Sequence, residues 1–182
     1  MLFRSVIYLL NTFSKAYDSI VHVVASGNDG IDLDDRNSTT IFPADLSSGK
    51  TTIDPDFITV GALAPSNKSG FWKFDEIANY SNYGADTVDV FAPGEVLSVI
   101  VDVEPGVEMY GFMQGTSFAV PYVSSLVELM QNVNPNLTPK DIKRIIIDTS
   151  VPLPALAGKG RGGVVQFYDA LIEAISTSPF YV

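Results

Sequence analysis

The stretch Gly115-Thr116-Ser117-Phe118-Ala119-Val120-Pro121-Tyr122-Val123-Ser124 carries the clearest chemistry in the chain. A Gly-Thr-Ser turn runs directly into an apolar segment, which places Ser117 in the first turn of a helix. Backbone N–H groups there lack intrahelical partners, and the helix dipole favours negative charge. A serine at such a position can be a nucleophile whose developing oxyanion is stabilised by its own N–H. The same residue type also suits a helix N-cap, and taken alone Ser117 fits either role.

A second element is Ser26-Gly27-Asn28-Asp29-Gly30. The preceding run Ile20-Val21-His22-Val23-Val24-Ala25 is short, β-branched and apolar on both faces, the pattern of a buried parallel strand. The turn stands at its carboxyl end, where open α/β sheets place their sites. Read by itself, Asn28 is a turn asparagine tolerating positive φ.

Other elements must hold these two in place. Phe3, Val6, Ile7, Leu10, Phe13 and Tyr17 recur at helical spacing, which predicts a helix over 3–18. Residues 31–56 are polar and broken by Pro and Gly, a long loop segment. Phe57-Ile58-Thr59-Val60-Gly61-Ala62 reads as a second buried strand. Residues 65–87 read as another loop, ending in Tyr80-Ser81-Asn82-Tyr83-Gly84. Val88-Asp89-Val90-Phe91-Ala92 is a third strand, stopped by Pro93-Gly94. Residues 95–113 suggest a hairpin turning at Glu104-Pro105-Gly106. The Ser117 helix should run to about Asn132, with Asn134-Pro135 ending it. Thr138, Pro139 and Asp141 have the order of an N-cap, a first helical residue and the acid of a capping box. Residues 158–163 form a glycine-rich loop before Val164–Phe167 and a last helix near 168–176.

The bulk properties fit one domain over residues 1–182, long enough to bury a substantial core. A 46 % hydrophobic and 18 % charged composition is that of a globular protein. A net charge of −10 argues against nucleic acid as a partner, because the phosphates would be repelled. The absence of cysteine excludes disulfides, thiolate metal sites and cysteine nucleophiles, and leaves the compartment open. No apolar run approaches the ~20 residues of a membrane span. The apolar start Met1–Leu10 reads as part of an amphipathic helix and lacks the pattern of a signal peptide. Asp32, Asp34 and Asp35 form a small acidic cluster. Oxygen-rich loops can bind Ca²⁺, but this one lacks the Gly and distant Glu of an EF-hand and reads as a solvated loop. No cofactor is expected.

The ordered set of motifs resembles the subtilisin-like serine peptidases. Val23-Val24-Ala25-Ser26-Gly27-Asn28-Asp29-Gly30 is similar to the family's strand and oxyanion asparagine. Ile58-Thr59-Val60-Gly61-Ala62, Val88-Asp89-Val90-Phe91-Ala92-Pro93-Gly94, Gly115-Thr116-Ser117, Asn136-Leu137-Thr138 and Gly160-Arg161-Gly162 follow in the family's order. The resemblance implies an α/β fold, a subtilisin-like three-layer sandwich with a mostly parallel sheet and helices on both faces. It implies that Ser117 is the nucleophile and that the Asn28 side chain donates to the tetrahedral oxyanion. It implies further that Ala25, Ser26 and Gly27 form one wall of the pocket for the substrate residue before the scissile bond.

The family's aspartate and histidine lie in the N-terminal part of its fold, which is expected to be absent here. The only histidine is His22, inside the strand before Asn28, where a packing role is expected. Several family positions differ: Phe118 stands for methionine, Tyr122 for histidine, Ser125 for glycine, and Val165 for asparagine or aspartate. Loss of the N-terminal strands would leave a sheet edge open, an association hazard that another chain or a second copy should cover. Two functions follow. One is peptide-bond hydrolysis of a peptide or protein substrate, with acid and base supplied elsewhere. The other is a noncatalytic module that binds a peptide or protein along its open edge. A partial gene product without a function of its own is the third possibility.

Overall fold

The computed structural model describes residues 12, 20–35, 37, 41–44, 57–66, 73–100 and 109–178. The helix expected over 3–18, most of the 31–56 loop and the 104–106 turn lie outside the described residues, with only Thr12 of that helix described.

The apolar, β-branched run from Phe57 becomes the centre of the sheet. It forms strand β2, Phe57–Ser66, longer than expected by its last four residues. Strand β1, His22–Ala25, pairs with it in parallel, His22 beside Phe57 and Ala25 beside Val60. Strand β3, Lys73–Ile77, pairs with its far end in antiparallel sense, around a shift between Ala64 and Pro65. Strand β4, Val90–Pro93, pairs with it in parallel. The carbonyls of Val60 and Ala62 accept from Ser26 and Ala78, and those of Thr59 and Leu63 from Asp89 and Gly94. Alternate carbonyls point to opposite sides of a strand. Hence β1 and β3 share one flank of β2, and β4 holds the other. Strand β3 corrects the expectation of an unbroken 65–87 loop; its sequence, Lys-Phe-Asp-Glu-Ile, is too charged to announce a strand.

Among the described residues β1 pairs on one side only, and all four of its residues are half-buried. An interior strand should bury such an apolar run, so the expectation of a fully buried strand is met only on the β2 side.

Strands β5, Glu95–Ile100, and β6, Met109–Gln114, make the expected hairpin. It leads into helix α1, Thr116–Val133, which buries Thr116, Ala119, Val123, Leu126, Val127 and Met130 at helical spacing. Helix α2, Pro139–Asp148, starts at the Thr138 capping box as the sequence indicates. Helix α3, Phe167–Ser176, packs against α1 and α2. One core joins Ile58, Val60, Val90 and Ala92 of the sheet to Ala119, Val123 and Leu126 of α1 and to Ile142, Ile145 and Ile146 of α2. Full burial of each such isoleucine contributes about 1.5–3 kcal/mol. The opposite face of the sheet carries a second cluster of Leu33, Ala44, Leu63, Val88, Phe91 and Leu156. Phe91 lies over Gly61, whose missing side chain leaves the space the ring fills.

Asp89, at the start of β4, is fully buried and paired with Lys143 at 2.9 Å and Arg161 at 3.1 Å. Its carboxylate also accepts from the Thr59 N–H, and the Lys143 ammonium donates to the Phe57 carbonyl. These bonds tie α2 and the glycine-rich loop to the amino ends of the parallel strands. They leave the carboxyl ends to the site.

Candidate active site

Ser117 is exposed and is the second residue of α1. The N-cap position belongs to Gly115, which makes no side-chain cap. Ser117 is therefore not the capping residue, and the N-cap reading of this serine does not hold. Gly115 has φ 156° and ψ 153°, a backbone region that essentially only glycine enters. That glycine turns the chain sharply from β6 into α1 and leaves Ser117 at the mouth of the helix. Pro121 has no N–H, so the Ser117 carbonyl lacks its usual helical donor.

Asn28 is exposed and faces this turn. Its Oδ1 accepts from the Thr116 N–H at 2.8 Å and from the Thr116 hydroxyl at 2.9 Å. A backbone N–H can only donate, so these contacts fix which end of the amide is oxygen. The Nδ2 group then has the other side of the amide plane. No residue other than glycine has positive φ among those described; Gly27 at 103° and Gly30 at 67° supply it. Asn28 is thus not the residue that makes the turn possible.

The three predicted wall residues divide. Ala25 and Gly27 are half-buried, whereas Ser26 is fully buried. The Ser26 hydroxyl donates to the Asn82 carbonyl at 3.0 Å, so Ser26 offers a substrate no side chain. The Gly27 N–H donates to the Thr116 hydroxyl at 3.3 Å, a second tie between this loop and the Ser117 turn.

Sequence reasoning missed two residues that hold the site. Asn82 is fully buried; its Oδ1 accepts from the Asp29 and Ile31 N–H groups, and its Nδ2 donates to the Ser26 carbonyl. The Tyr80 hydroxyl donates to the Gly94 carbonyl at 2.9 Å and accepts from the Gly115 N–H at 3.2 Å. Burial pushes the Tyr80 phenol pKa up, so it stays protonated at neutral pH. Both residues stand in the Tyr80-Ser81-Asn82 turn. Its run of hydrogen-bonding side chains between two strands was the available signal.

His22 is not placed to serve Ser117. It opens β1, its ring stacked on Phe57 with centroids 4.7 Å apart and planes 18° from parallel. Asn28 lies beyond the other end of the strand, and the residues from His22 to Ala25 alone span about 10 Å. Asp89 belongs to the opposite end of the sheet. A cleft of about 470 Å³ lined by Ile147, Leu156, Arg161 and Gly162 opens at that same far end and shares no residue with the site.

The acidic cluster is committed to turns. Asp34 accepts from the Asp86 N–H and the Thr87 hydroxyl, and Asp32 from the Asp34 N–H. Among the described residues no three His, Cys, Asp or Glu side chains converge to hold a metal ion. No described helix is long and apolar enough to cross a membrane.

The departures from the family pattern also find places. Ser125 is exposed and its hydroxyl bonds back to the Pro121 carbonyl at 2.7 Å. Tyr122 and Leu129 flank it on the same exposed stripe of α1. No close packing excludes a side chain there among the described residues. Val165 is buried against the main core, with its N–H on the Phe91 carbonyl.

The chain is similar to known proteases in sequence and in fold. The chain is 32% identical over 145 residues to an extracellular protease of Xanthomonas campestris pv. campestris, covering 76% of this chain and 24% of that protein. It is 30% identical over 154 residues to the serine protease AprX of Bacillus subtilis, covering 76% and 32%. The solved A-subunit of the AB5 toxin from E. coli superposes with a TM-score of 0.67 at 27% identity, over 93% of this chain and 55% of that one. A protease from Pseudoalteromonas arctica gives 0.63 at 27% identity, over 86% and 43%. The chain thus spans about half or less of each of these relatives and has the subtilisin-like α/β fold. A model of the subtilase family matches residues 5–168, and with the Gly-Thr-Ser turn and its facing asparagine the chain belongs to that family.

Proposed function

We propose that this chain is the nucleophile-bearing portion of a serine endopeptidase. Ser117 Oγ adds to the scissile carbonyl carbon, and its proton passes to an imidazole base on polypeptide outside this chain. The carbonyl π electrons move to oxygen, and the Asn28 Nδ2 and Ser117 N–H groups stabilise the oxyanion. The base then returns the proton to the leaving amine, and water releases the acyl group by the same path.

The observation that carries this reading is the fixed amide of Asn28. Thr116 occupies its oxygen twice, which leaves the nitrogen as the end available to an anion beside Ser117. A neutral N–H of this kind stabilises charge present only near the transition state. Removing the histidine of a complete triad costs about 10⁶ in kcat, so the isolated chain should be nearly inert. Ala25 and Gly27 would line the substrate residue before the scissile bond through their backbone. The relatives named as extracellular proteases support action outside the cell.

The second reading is a noncatalytic module that captures an extended peptide or partner. The pairing of β1 on one side only among the described residues, and the exposed Tyr122 and Leu129 on α1, favour it. Both readings require another polypeptide, and a solved subtilase cytotoxin to which this chain is similar, at a TM-score of 0.68, is described as an assembly. Fluorophosphonate labelling separates them. Label on Ser117 that disappears in Ser117→Ala supports the peptidase; no label, with the base-bearing polypeptide present, supports the binding module.

A further inference from the structure

Three consecutive residues, Tyr80, Ser81 and Asn82, reach three different parts of the fold. The Gly115 N–H donates directly to the Gly94 carbonyl at 2.9 Å, and the Tyr80 hydroxyl braces that bond, donating to the same carbonyl and accepting from the same N–H at 3.2 Å. Ser81 Oγ accepts from the Ala62 N–H at 2.9 Å, which anchors the turn to the central strand. Asn82 grips the loop around Asn28 from both sides: Ser26 before it, Asp29 and Ile31 after it. The Asn82 N–H also donates to the Gly27 carbonyl at 3.0 Å. Gly27 lacks the side chain that would collide with the Asn82 amide.

We propose that the Tyr80-Ser81-Asn82 turn is the positioning device of the site, holding the Asn28 loop and the Ser117 turn in register on the central strand. The inference rests on the reading of Ser117 and Asn28 as the reacting pair. Asn28 is exposed, and its two bonds to Thr116 join the loop to the facing turn without reaching the central strand. Asn82 holds that loop from beneath. Tyr80 reinforces the Gly115–Gly94 backbone bond at the facing turn, where Gly115 holds a conformation that other residues avoid. Neither side chain need touch substrate; both act through the backbone. The phenol is the informative part, because its oxygen serves the site while its ring only packs.

Tyr80→Phe removes that one oxygen and keeps the ring. In ¹H–¹⁵N spectra of this chain, the Gly115 and Thr116 amides and the Asn28 side-chain amide should shift, with Ile142–Ile146 unchanged. In the protein joined to its base-bearing polypeptide, the variant should lower the maximal rate of fluorophosphonate labelling about tenfold at unchanged half-saturating probe concentration. An unmoved Asn28 side-chain amide, or an unchanged labelling rate, overturns the proposal. If wild-type Ser117 takes no label, the peptidase reading falls by itself, and the spectra alone decide whether Tyr80 positions the turn.

Discussion

Asn28 and Thr116 hold each other across the carboxyl end of the parallel sheet. The Asn28 side-chain oxygen accepts from both the Thr116 N–H, at 2.8 Å, and the Thr116 hydroxyl, at 2.9 Å. They are 88 residues apart in sequence. The contact gives the first N–H of α1 a partner that Gly115 cannot supply. It also leaves the Asn28 nitrogen as the end of the amide not bonded to Thr116.

Asn28→Asp separates these two duties. The carboxylate keeps an acceptor for Thr116 but loses the N–H and adds negative charge beside the proposed oxyanion position. The expected outcome is a loss of at least about 10²–10³ in labelling or hydrolysis rate, the range for removing such a donor from a subtilisin. The folded state should persist, as measured by its melting temperature. A variant as active as wild type would remove Asn28 from the oxyanion site.

Gly115→Ala tests the turn. A side chain at φ 156° and ψ 153° is strained whatever the space around it, and such residues cost about 1–3 kcal/mol. The new methyl would also stand 3.6 Å from Asn28 Nδ2, ordinary contact rather than collision. Urea unfolding should therefore show a loss of that size, and Ser117 labelling should fall further than stability does.

The far end of the sheet should behave differently. Asp89→Ala leaves Lys143, 9% exposed at its side chain, without its carboxylate. Breaking a buried pair in this way costs about 3–5 kcal/mol. Equilibrium denaturation should show the loss. In the fraction that remains folded, the amide resonances of Thr116 and Asn28 should keep their positions, because Asp89 lies at the amino end of β4 and the site at its carboxyl end.

The capping box of α2 predicts a pH dependence. Hydrogen bonds from the Thr138 hydroxyl and N–H lower the Asp141 pKa below the ordinary carboxylate value. A group depressed in the folded state adds stability above its unfolded pKa, near 3.9, and loses it as acid carries the pH down through the folded value. Thr138→Ala should cost about 0.5–2 kcal/mol at neutral pH and flatten this part of the acid dependence. Parallel urea titrations at pH 7 and pH 3 measure both effects.

Local patterns in the sequence account for much of this structure. The β-branched run at Phe57, the Gly-Thr-Ser turn and the Thr138 capping signal each declare their element through short-range physics, and each forms where expected. Strand β3 was hidden because Lys73, Asp75 and Glu76 break the apolar pattern; its pairing with β2, not its composition, makes it a strand. The roles of Tyr80 and Asn82 were hidden for a related reason. The polar turn that carries them is visible locally, but their partners, Gly115, Gly94, Ser26 and Ile31, are distant in sequence, and nothing local names them. The half-burial of β1 likewise depends on which strands lie beside it, which its own residues do not encode.

The proposed peptidase activity requires Ser117 to be an activated nucleophile when a base is supplied. The direct measurement is fluorophosphonate labelling of wild type and Ser117→Ala, alone and with the polypeptide that carries the base. The expected result is label on wild type that requires the added polypeptide and vanishes in Ser117→Ala. Absence of label on wild type in its presence, or equal label on the two proteins, would show that Ser117 is not an activated nucleophile.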